Sequence, residues 1–166
     1  MKPSYLIFLV IIFIALVLGC TSAEQTVKSG DTVAVEYNLT IDNGTLIDTT
    51  VNKTPFTFVV GSEGVIKGFS YGVIGMKSNE TKTITIVPEE AYGEHYDSLV
   101  RTIQMNNTNF TIGQEITSLV TKEKGIITFV NSTHVTADFN HPLAGKTLYF
   151  EVKVVNITKT EDFFNP

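Results

Sequence analysis

Alternating apolar and polar residues mark the beginning and the end of the folded part of the chain. Apolar side chains occupy every second position from Thr32 to Ile41, and the alternation returns from Leu148 to Val155. Because successive side chains of a strand point to opposite faces, both segments are predicted to be half-buried strands. The pair Asn43-Gly44 follows the first of them and favours a tight hairpin turn.

Shorter patterns predict the other elements of this body. Residues 55–61 and 81–87 have the composition of strands, and each is bounded by proline or glycine. Between them, apolar residues recur at roughly helical spacing, which predicts one short helix over residues 67–74. We therefore expect an α+β fold, with an antiparallel sheet around one short helix.

The pattern changes between residues 98 and 138. Several short β-like runs, separated by asparagine and glycine, replace the long alternating strands. Lys124-Gly125 is interpreted as a hairpin turn between two of these runs. The sequence thus predicts a discontinuous main domain, residues 27–97 and 139–158, interrupted by a small β-rich domain at residues 98–138.

Residues 1–20 form a separate segment. Its apolar run, from Tyr5 to Gly19, is shorter than the ~20 residues of a spanning helix and resembles the core of a signal peptide. The stretch "LVLGC" is similar to the lipobox of secreted lipoproteins, with Val17 where leucine is usual, which implies lipid attachment at Cys20. An uncleaved signal anchor is the alternative. Both interpretations predict an extracytoplasmic protein tethered to the membrane.

Composition and charge exclude several classes. The chain has 166 residues, is 43% hydrophobic and 17% charged, and carries a net charge of −5, so it can form a packed core. Without a basic run, nucleic acid is not an expected partner. Because there is one cysteine, no intrachain disulfide can form.

Glycosylation motifs agree with a secreted chain. The Asn-X-Ser/Thr sequence begins at Asn38, Asn43, Asn52, Asn79, Asn106, Asn109, Asn131 and Asn156. A composition rich in asparagine and threonine would also produce such motifs by chance.

The sequence carries no pattern for metal or nucleophilic chemistry. His95, His134 and His141 are scattered singly, and each is interpreted as a surface or loop residue rather than a metal ligand. A phosphate-binding glycine loop and a nucleophile elbow are absent from the sequence. We therefore predict no cofactor, no metal and no covalent or metal-assisted hydrolysis.

Aromatic and branched apolar residues stand at the strand ends and at the start of the predicted helix. They are Tyr37, Ile47, Phe56, Val65, Ile66, Phe69, Tyr92 and Phe150. The simplest interpretation is an ordinary core. The alternative is a concave apolar pocket between helix and sheet, with few polar groups.

Several motifs occur in an order that resembles a known family. The helix entry "GSEGVIKGF", the turn "PEEAYG" and the return "NHPLAGKTLYF" are similar to successive pieces of the FKBP-type peptidyl-prolyl isomerases. The interruption after "AYG" resembles the SlyD-like branch, in which a chaperone module, the insert-in-flap, replaces the flap loop. The resemblance extends from Val27 to Thr158. It implies an enzyme that rotates X–Pro bonds and acts on unfolded or proline-containing polypeptides.

The resemblance also implies roles for individual residues. Ile66 would donate its backbone N–H to the substrate, Tyr92 would donate its hydroxyl, and Asp48 would orient dipoles or organise the pocket. Phe69 would form the pocket base, where many relatives carry tryptophan. The remaining substrate contacts would be Tyr37, Ile47, Phe56, Val65, Leu143, Ala144 and Phe150.

The inserted domain would bind unfolded chains through apolar residues. These are Ile103, Met105, Phe110, Ile116, Val120 and Phe129, with Leu119 and Ile127 beside them. A small unit cannot bury all of its apolar surface, although some of these residues are expected to form its core. The histidine-rich tail of many SlyD-like relatives has no counterpart after His141, so metal delivery is not implied. We expect a monomer.

Two other functions remain open from the sequence. The first is a holdase that keeps this fold but has little isomerase activity, which the phenylalanine at position 69 leaves possible. The second is a surface binding or adhesion module, suggested only by the glycosylation motifs, the N-terminal segment and the β content.

Overall fold

The computed structural model describes residues 25–105 and 109–160 of the chain. Within these residues one α-helix and nine strands form in chain order. They are β1 (Thr32–Ile41), β2 (Leu46–Thr49), β3 (Phe56–Val59), α1 (Lys67–Gly72), β4 (Thr81–Ile86), β5 (Val100–Gln104), β6 (Glu115–Thr117), β7 (Lys124–Val130), β8 (His134–Asp138) and β9 (Leu148–Thr158). The predicted signal segment with Cys20, and the glycosylation motif at Asn106, lie outside the described residues.

The first sheet is antiparallel and is built around β1 and β9. Its order is β2-β1-β9-β4, and β3 pairs with the same edge of β1 as β2 does. The β1–β9 pairing runs from Thr32↔Thr158 to Ile41↔Leu148. The predicted α+β class, an antiparallel sheet with one short helix, is confirmed.

The hairpin between β1 and β2 forms where Asn43-Gly44 predicted it. Gly44 has a φ of +76°, a conformation that L side chains rarely adopt. Its N–H donates to the carbonyl of Ile41 at 2.7 Å, and the side chain of Asn43 accepts the N–H of Thr45 at 3.0 Å. Local turn chemistry therefore fixes this connection.

Helix α1 is shorter than the predicted 67–74 and ends at Gly72. After it the backbone tightens, because the N–H of Ile74 donates to the carbonyl of Tyr71, and Gly75 then turns the chain with a φ of +83°. The buried Phe69 of α1 packs in the main core with the inward side chains of β1, β4 and β9.

The second sheet lies between β4 and β9 in the chain and has the order β5-β8-β7-β6. Its buried hydrophobic side chains are Ile127, Val135 and Ala137. Strand β5 is an element that the apolar pattern did not single out.

The predicted turn at Lys124-Gly125 is wrong. Both residues belong to β7, and the turn spans residues 118–123, where the N–H of Ser118 donates to the carbonyl of Glu123 at 2.8 Å. Glycine is required at 125 for packing, since a Cβ there would lie 2.7 Å from Cδ1 of Phe139.

In the described part of the chain, no helix has the length and apolar character needed to cross a bilayer.

Candidate active site

A cavity of about 220 Å³ opens between the entry to α1, the strands β1 to β3 and the turn after β4. Its lining residues are Tyr37, Leu39, Asp48, Phe56, Gly64, Val65, Ile66, Phe69, Tyr92 and Phe150. Two larger depressions, of about 430 and 410 Å³, border the loop of residues 139–146. The smaller cavity is the stronger candidate, because it gathers aromatic walls and a few polar groups in one concave site.

Phe69 forms the base of this cavity and is 2% exposed. Its ring centroid lies 4.6 Å from that of Phe150, 5.4 Å from that of Phe58 and 5.7 Å from that of Tyr37. These pairs are tilted or edge-on, the arrangements that aromatic rings prefer. The base and walls are therefore a packed, apolar surface.

Tyr37 and Asp48 bring the main polar contact into the cavity. The Tyr37 hydroxyl donates to Oδ2 of Asp48 at 2.6 Å, and Oδ1 accepts the N–H of Thr49 at 2.8 Å. Burial, followed by the hydrogen bond and charge of Asp48, raises the pKa of Tyr37 to about 12. The bond from Tyr37 lowers the pKa of Asp48, against the opposing effect of burial. At neutral pH the pair is therefore a phenol and a carboxylate.

Tyr92 lies at the rim. It follows the 3-10 turn Pro88–Glu90, and the N–H groups of Ala91 and Gly93 both donate to the carbonyl of Pro88. The side chain is 40% exposed. Its ring stacks on His141, with a centroid distance of 3.9 Å and an interplanar angle of 3°.

Most of the predicted cavity residues come together, and three do not reach the lining. Ile47 lies where the β1–β2 pairing is irregular, between the pairs Thr40↔Leu46 and Leu39↔Asp48, and its side chain is 40% exposed. Leu143 packs against the main core, and the buried Ala144 borders the 410 Å³ depression. Substrate contact by these three residues stays a prediction.

Leu39, Gly64 and His141 are site residues that sequence reasoning did not select. Leu39 had a usable signal, because it lies two positions after Tyr37 in β1 and thus faces the same side. His141 had none, since nothing local indicates its contact with Tyr92.

The proposed client-binding residues of the second sheet divide into two groups. Phe110 and Ile116 pack against buried Ile127 and so belong to the small core. The exposed group consists of Ile103, Met105, Leu119, Val120 and Phe129. Val120, in the turn between β6 and β7, is 90% exposed.

A network of polar contacts joins the two connecting segments through which the chain leaves and re-enters the main domain. The side chain of Asn140 accepts the N–H of Tyr96 at 2.9 Å and donates to its carbonyl at 3.0 Å. Nε2 of His95 lies 3.0 Å from Oδ2 of Asp138. Burial opposes ionisation of Asp138, but hydrogen bonds from Asn140 and His95 outweigh it and lower the pKa. Among the described residues, no cluster of three or more potential metal ligands occurs.

Comparison with known proteins agrees with this geometry. The family model described as FKBP-type peptidyl-prolyl cis-trans isomerase matches residues 23–155. A probable FKBP-type 16 kDa isomerase of Pseudomonas fluorescens is 33% identical over 141 residues, which cover 81% of this chain and 94% of that relative. The short-type isomerase of Methanocaldococcus jannaschii is 35% identical over 152 residues, 81% of this chain and 96% of the relative.

A SlyD isomerase of Vibrio cholerae is 31% identical over 145 residues, which cover 82% of this chain and 71% of the relative. The family model, over residues 23–155, covers both the residues that line the aromatic cavity and the strands of the second sheet. This chain therefore belongs to the FKBP-type peptidyl-prolyl cis-trans isomerases, enzymes that act on proline-containing polypeptides.

Proposed function

We propose that this isomerase rotates X–Pro bonds in the aromatic cavity, with the proline ring against Phe69. The barrier of ~18–20 kcal/mol arises because the twisted amide loses its resonance. Water stabilises the polar, planar ground state, whereas a dry aromatic site favours the less polar twisted state. The observation that carries this proposal is the packing of Tyr37, Phe56, Phe69 and Phe150 around one cavity.

The polar groups of the cavity have distinct proposed roles. The Tyr92 hydroxyl, at the rim, donates to a substrate carbonyl, and the backbone N–H of Ile66, at the entry to α1, donates to another. Asp48 already accepts bonds from Tyr37 and Thr49. We therefore assign Asp48 an organising role, in which it holds the Tyr37 ring in the wall of the cavity.

Removing the Tyr92 hydroxyl tests the first role. Tyr92→Phe should lower kcat/KM on a proline tetrapeptide by about two- to tenfold, the value of one hydrogen bond of ordinary strength. Asp48→Ala should also lower kcat/KM, since the Tyr37 ring loses its anchor. Tyr71→Phe is the matched control, because Tyr71 lies on α1 with 54% of its side chain exposed and outside the cavity lining. Full activity of a folded Tyr92→Phe protein would refute the assignment.

We propose further that the second sheet is an insert-in-flap domain of the SlyD type that binds unfolded polypeptides. Its position between Tyr92 and β9, and the exposed Ile103, Val120 and Phe129, support this proposal. Exposed apolar side chains gathered on a small unit are suited to contact unfolded chains. A client held there would have a raised effective concentration at the cavity.

Polar substitutions in the intact chain test this second activity. Ile103→Ser, Val120→Ser and Phe129→Ser together should slow proline-limited refolding of a protein substrate while leaving tetrapeptide turnover unchanged. Val51→Ser, at an exposed apolar residue of the main domain, is the control and should alter neither rate. Equal losses on both substrates, or no loss on the protein substrate, would contradict the chaperone role.

We propose that the enzyme works outside the cytoplasm, tethered through a lipid on Cys20. The apolar run of residues 5–19 and the lipobox-like "LVLGC" support this location. Cys20→Ser should move the protein from the membrane fraction to the soluble fraction of cells. Retention of the variant in the membrane would favour an uncleaved signal anchor instead.

A further inference from the structure

The stacking of His141 on Tyr92 connects the loop after the second sheet with the rim of the cavity. The two rings are almost parallel, at 3°, and their centroids are 3.9 Å apart. Tyr92 is 40% exposed and His141 is also exposed, so on this side solvent surrounds the pair. Without the imidazole, a half-exposed tyrosine ring would be free to change rotamer.

His141 is itself held by its own loop. Its Nδ1 accepts the backbone N–H of Leu143 at 3.1 Å, and its carbonyl accepts the N–H of Ala144 at 2.8 Å. The N–H of Gly145 donates to the carbonyl of Gly93, the residue that follows Tyr92, at 2.8 Å. The two loops are therefore joined through both backbone and side chains.

The close approach of these loops depends on glycine. Gly145 has a φ of +68°, and a Cβ on it would lie 3.0 Å from Cβ of His95. A larger residue would push the loop of residues 141–145 away from residues 93–95. Glycine at 145 thus allows His141 to reach the face of the Tyr92 ring.

We propose that His141 is a positioning residue for the isomerase reaction, which acts by holding the Tyr92 ring over the cavity. The inference rests on the proposed role of Tyr92, because a fixed ring places the hydroxyl where the substrate backbone passes. Such preorganisation favours the reacting geometry without any added contact to substrate. The chemistry required of His141 is a flat ring in van der Waals contact, not a proton transfer.

Two variants distinguish a role of His141 in stacking on Tyr92 from a role in shaping its own turn. His141→Phe keeps a flat ring but has no acceptor for the N–H of Leu143, whereas His141→Asn keeps an acceptor but has no ring. If stacking positions Tyr92, the tetrapeptide kcat/KM should stay near wild type in His141→Phe and fall about three- to tenfold in His141→Asn and His141→Ala. The opposite order would mean that His141 only shapes its turn, which would overturn the proposal.

A double-mutant cycle shows whether the effect passes through Tyr92. In a Tyr92→Ala background, His141→Ala should cause no further loss of kcat/KM, and independent, multiplying losses would overturn the proposal. If Tyr92→Ala itself leaves activity unchanged, the role of Tyr92 fails. If Tyr92→Ala lowers activity and His141→Ala does not, only the present inference fails.

His134→Ala supplies the matched control. His134 lies in β8, and its Nδ1 is 2.8 Å from the Thr133 hydroxyl, so its ring is engaged away from the cavity. This variant should keep the wild-type tetrapeptide kcat/KM. A loss equal to that of His141→Ala would show that the assay responds to any histidine substitution and would overturn the proposal. Thermal unfolding of every variant checks that the compared proteins are folded.

Discussion

Tyr37 combines an apolar and a polar contact in one side chain. Its ring meets those of Phe56, Phe69 and Phe150 edge-on, and its hydroxyl donates to Asp48. The charged partner holds the phenol in one orientation, and the ring then completes the wall of the cavity.

The pH dependence of stability should report this contact. The pKa of Tyr37 is about 12 in the folded protein and near 10 in an unfolded chain. Because the pKa is higher in the folded state, the neutral phenol of Tyr37 contributes its full stabilisation below pH 10, and this contribution is lost as the pH rises through about 12. The difference in unfolding free energy between wild type and Tyr37→Phe should therefore shrink over that range, as measured by urea denaturation.

Asp48→Asn provides the companion measurement. Burial is the largest cause of the raised pKa of Tyr37, and Asp48 is the next. Asp48→Asn should therefore lower the folded-state pKa of Tyr37 only in part, so that the stabilisation by Tyr37 is lost over a narrower pH range than in the wild type. A wild-type minus Tyr37→Phe difference that is independent of pH would show that the phenol ionises equally in both states.

Single residues of the site differed in how far the sequence could predict them. Tyr92 and Phe69 were selected because they stand in motifs that resemble a family, and both line the cavity. Ile47 was selected with them, but it lies at an irregularity in the β1–β2 pairing, and its exposed side chain is outside the cavity lining. His141 was missed because its partner is distant in the chain, and only the tertiary fold brings the rings together.

At the scale of elements, α1 lies on β4 at a distance that only glycine permits. A Cβ on Gly68 would be 2.4 Å from Cγ2 of Ile86, and one on Gly72 would be 2.6 Å from Cγ2 of Ile84. Both glycines face the sheet, while the buried Phe69 points into the core. The helix therefore approaches the sheet closely enough for Phe69 to form the base of the cavity.

Gly68→Ala tests this contact. Alanine raises helix propensity by about 1 kcal/mol, but overpacking of a filled interface costs about 1–3 kcal/mol. With an overlap at 2.4 Å, we expect a net loss of unfolding free energy on the order of 1 kcal/mol, measured by urea denaturation. Lys67→Ala, on the exposed side of the same helix, should be nearly neutral.

Ile86→Ala removes the atom with which the new Cβ would collide. In that background Gly68→Ala should cost less than in the wild type, or should even stabilise the fold. Additive losses would mean that the helix–sheet contact adjusts easily and that glycine is not needed there.

Elements were predicted well where local chemistry determines them. The β1–β2 hairpin follows from Asn43-Gly44, whose backbone conformation the turn requires. The predicted position of the turn between β6 and β7 was wrong because Gly125 was interpreted as a turn residue. It is a strand residue at which the Phe139 ring packs too closely for a side chain. A glycine that is needed for packing cannot be distinguished from a turn glycine without the tertiary neighbour.

At the scale of the whole molecule, two cores of unequal size share one chain. Among the residues that the structure describes, the main core contains sixteen buried residues, including Val33, Leu148 and Val152, whereas the core of the second sheet contains three. Small cores give limited stability, since burial of apolar surface is the main favourable contribution to folding. The second sheet is therefore expected to open independently of, and more often than, the first.

Hydrogen exchange should show this hierarchy directly. Amides in β7 and β8 should exchange faster than paired amides of β1 and β9, because opening the second sheet exposes far less apolar surface. Asn140→Ala removes both hydrogen bonds to the backbone of Tyr96, and it should reduce protection in β8 while leaving that of β1 and β9 unchanged. Asn131→Ala, at the far end of the β7–β8 hairpin, removes local turn bonds only and serves as the control for a general loss of stability. If both sheets were equally protected and lost protection together in Asn140→Ala, the protein would open as one unit. The contacts around Asn140 would then couple the unfolding of the two sheets, and the two sheets would not open independently.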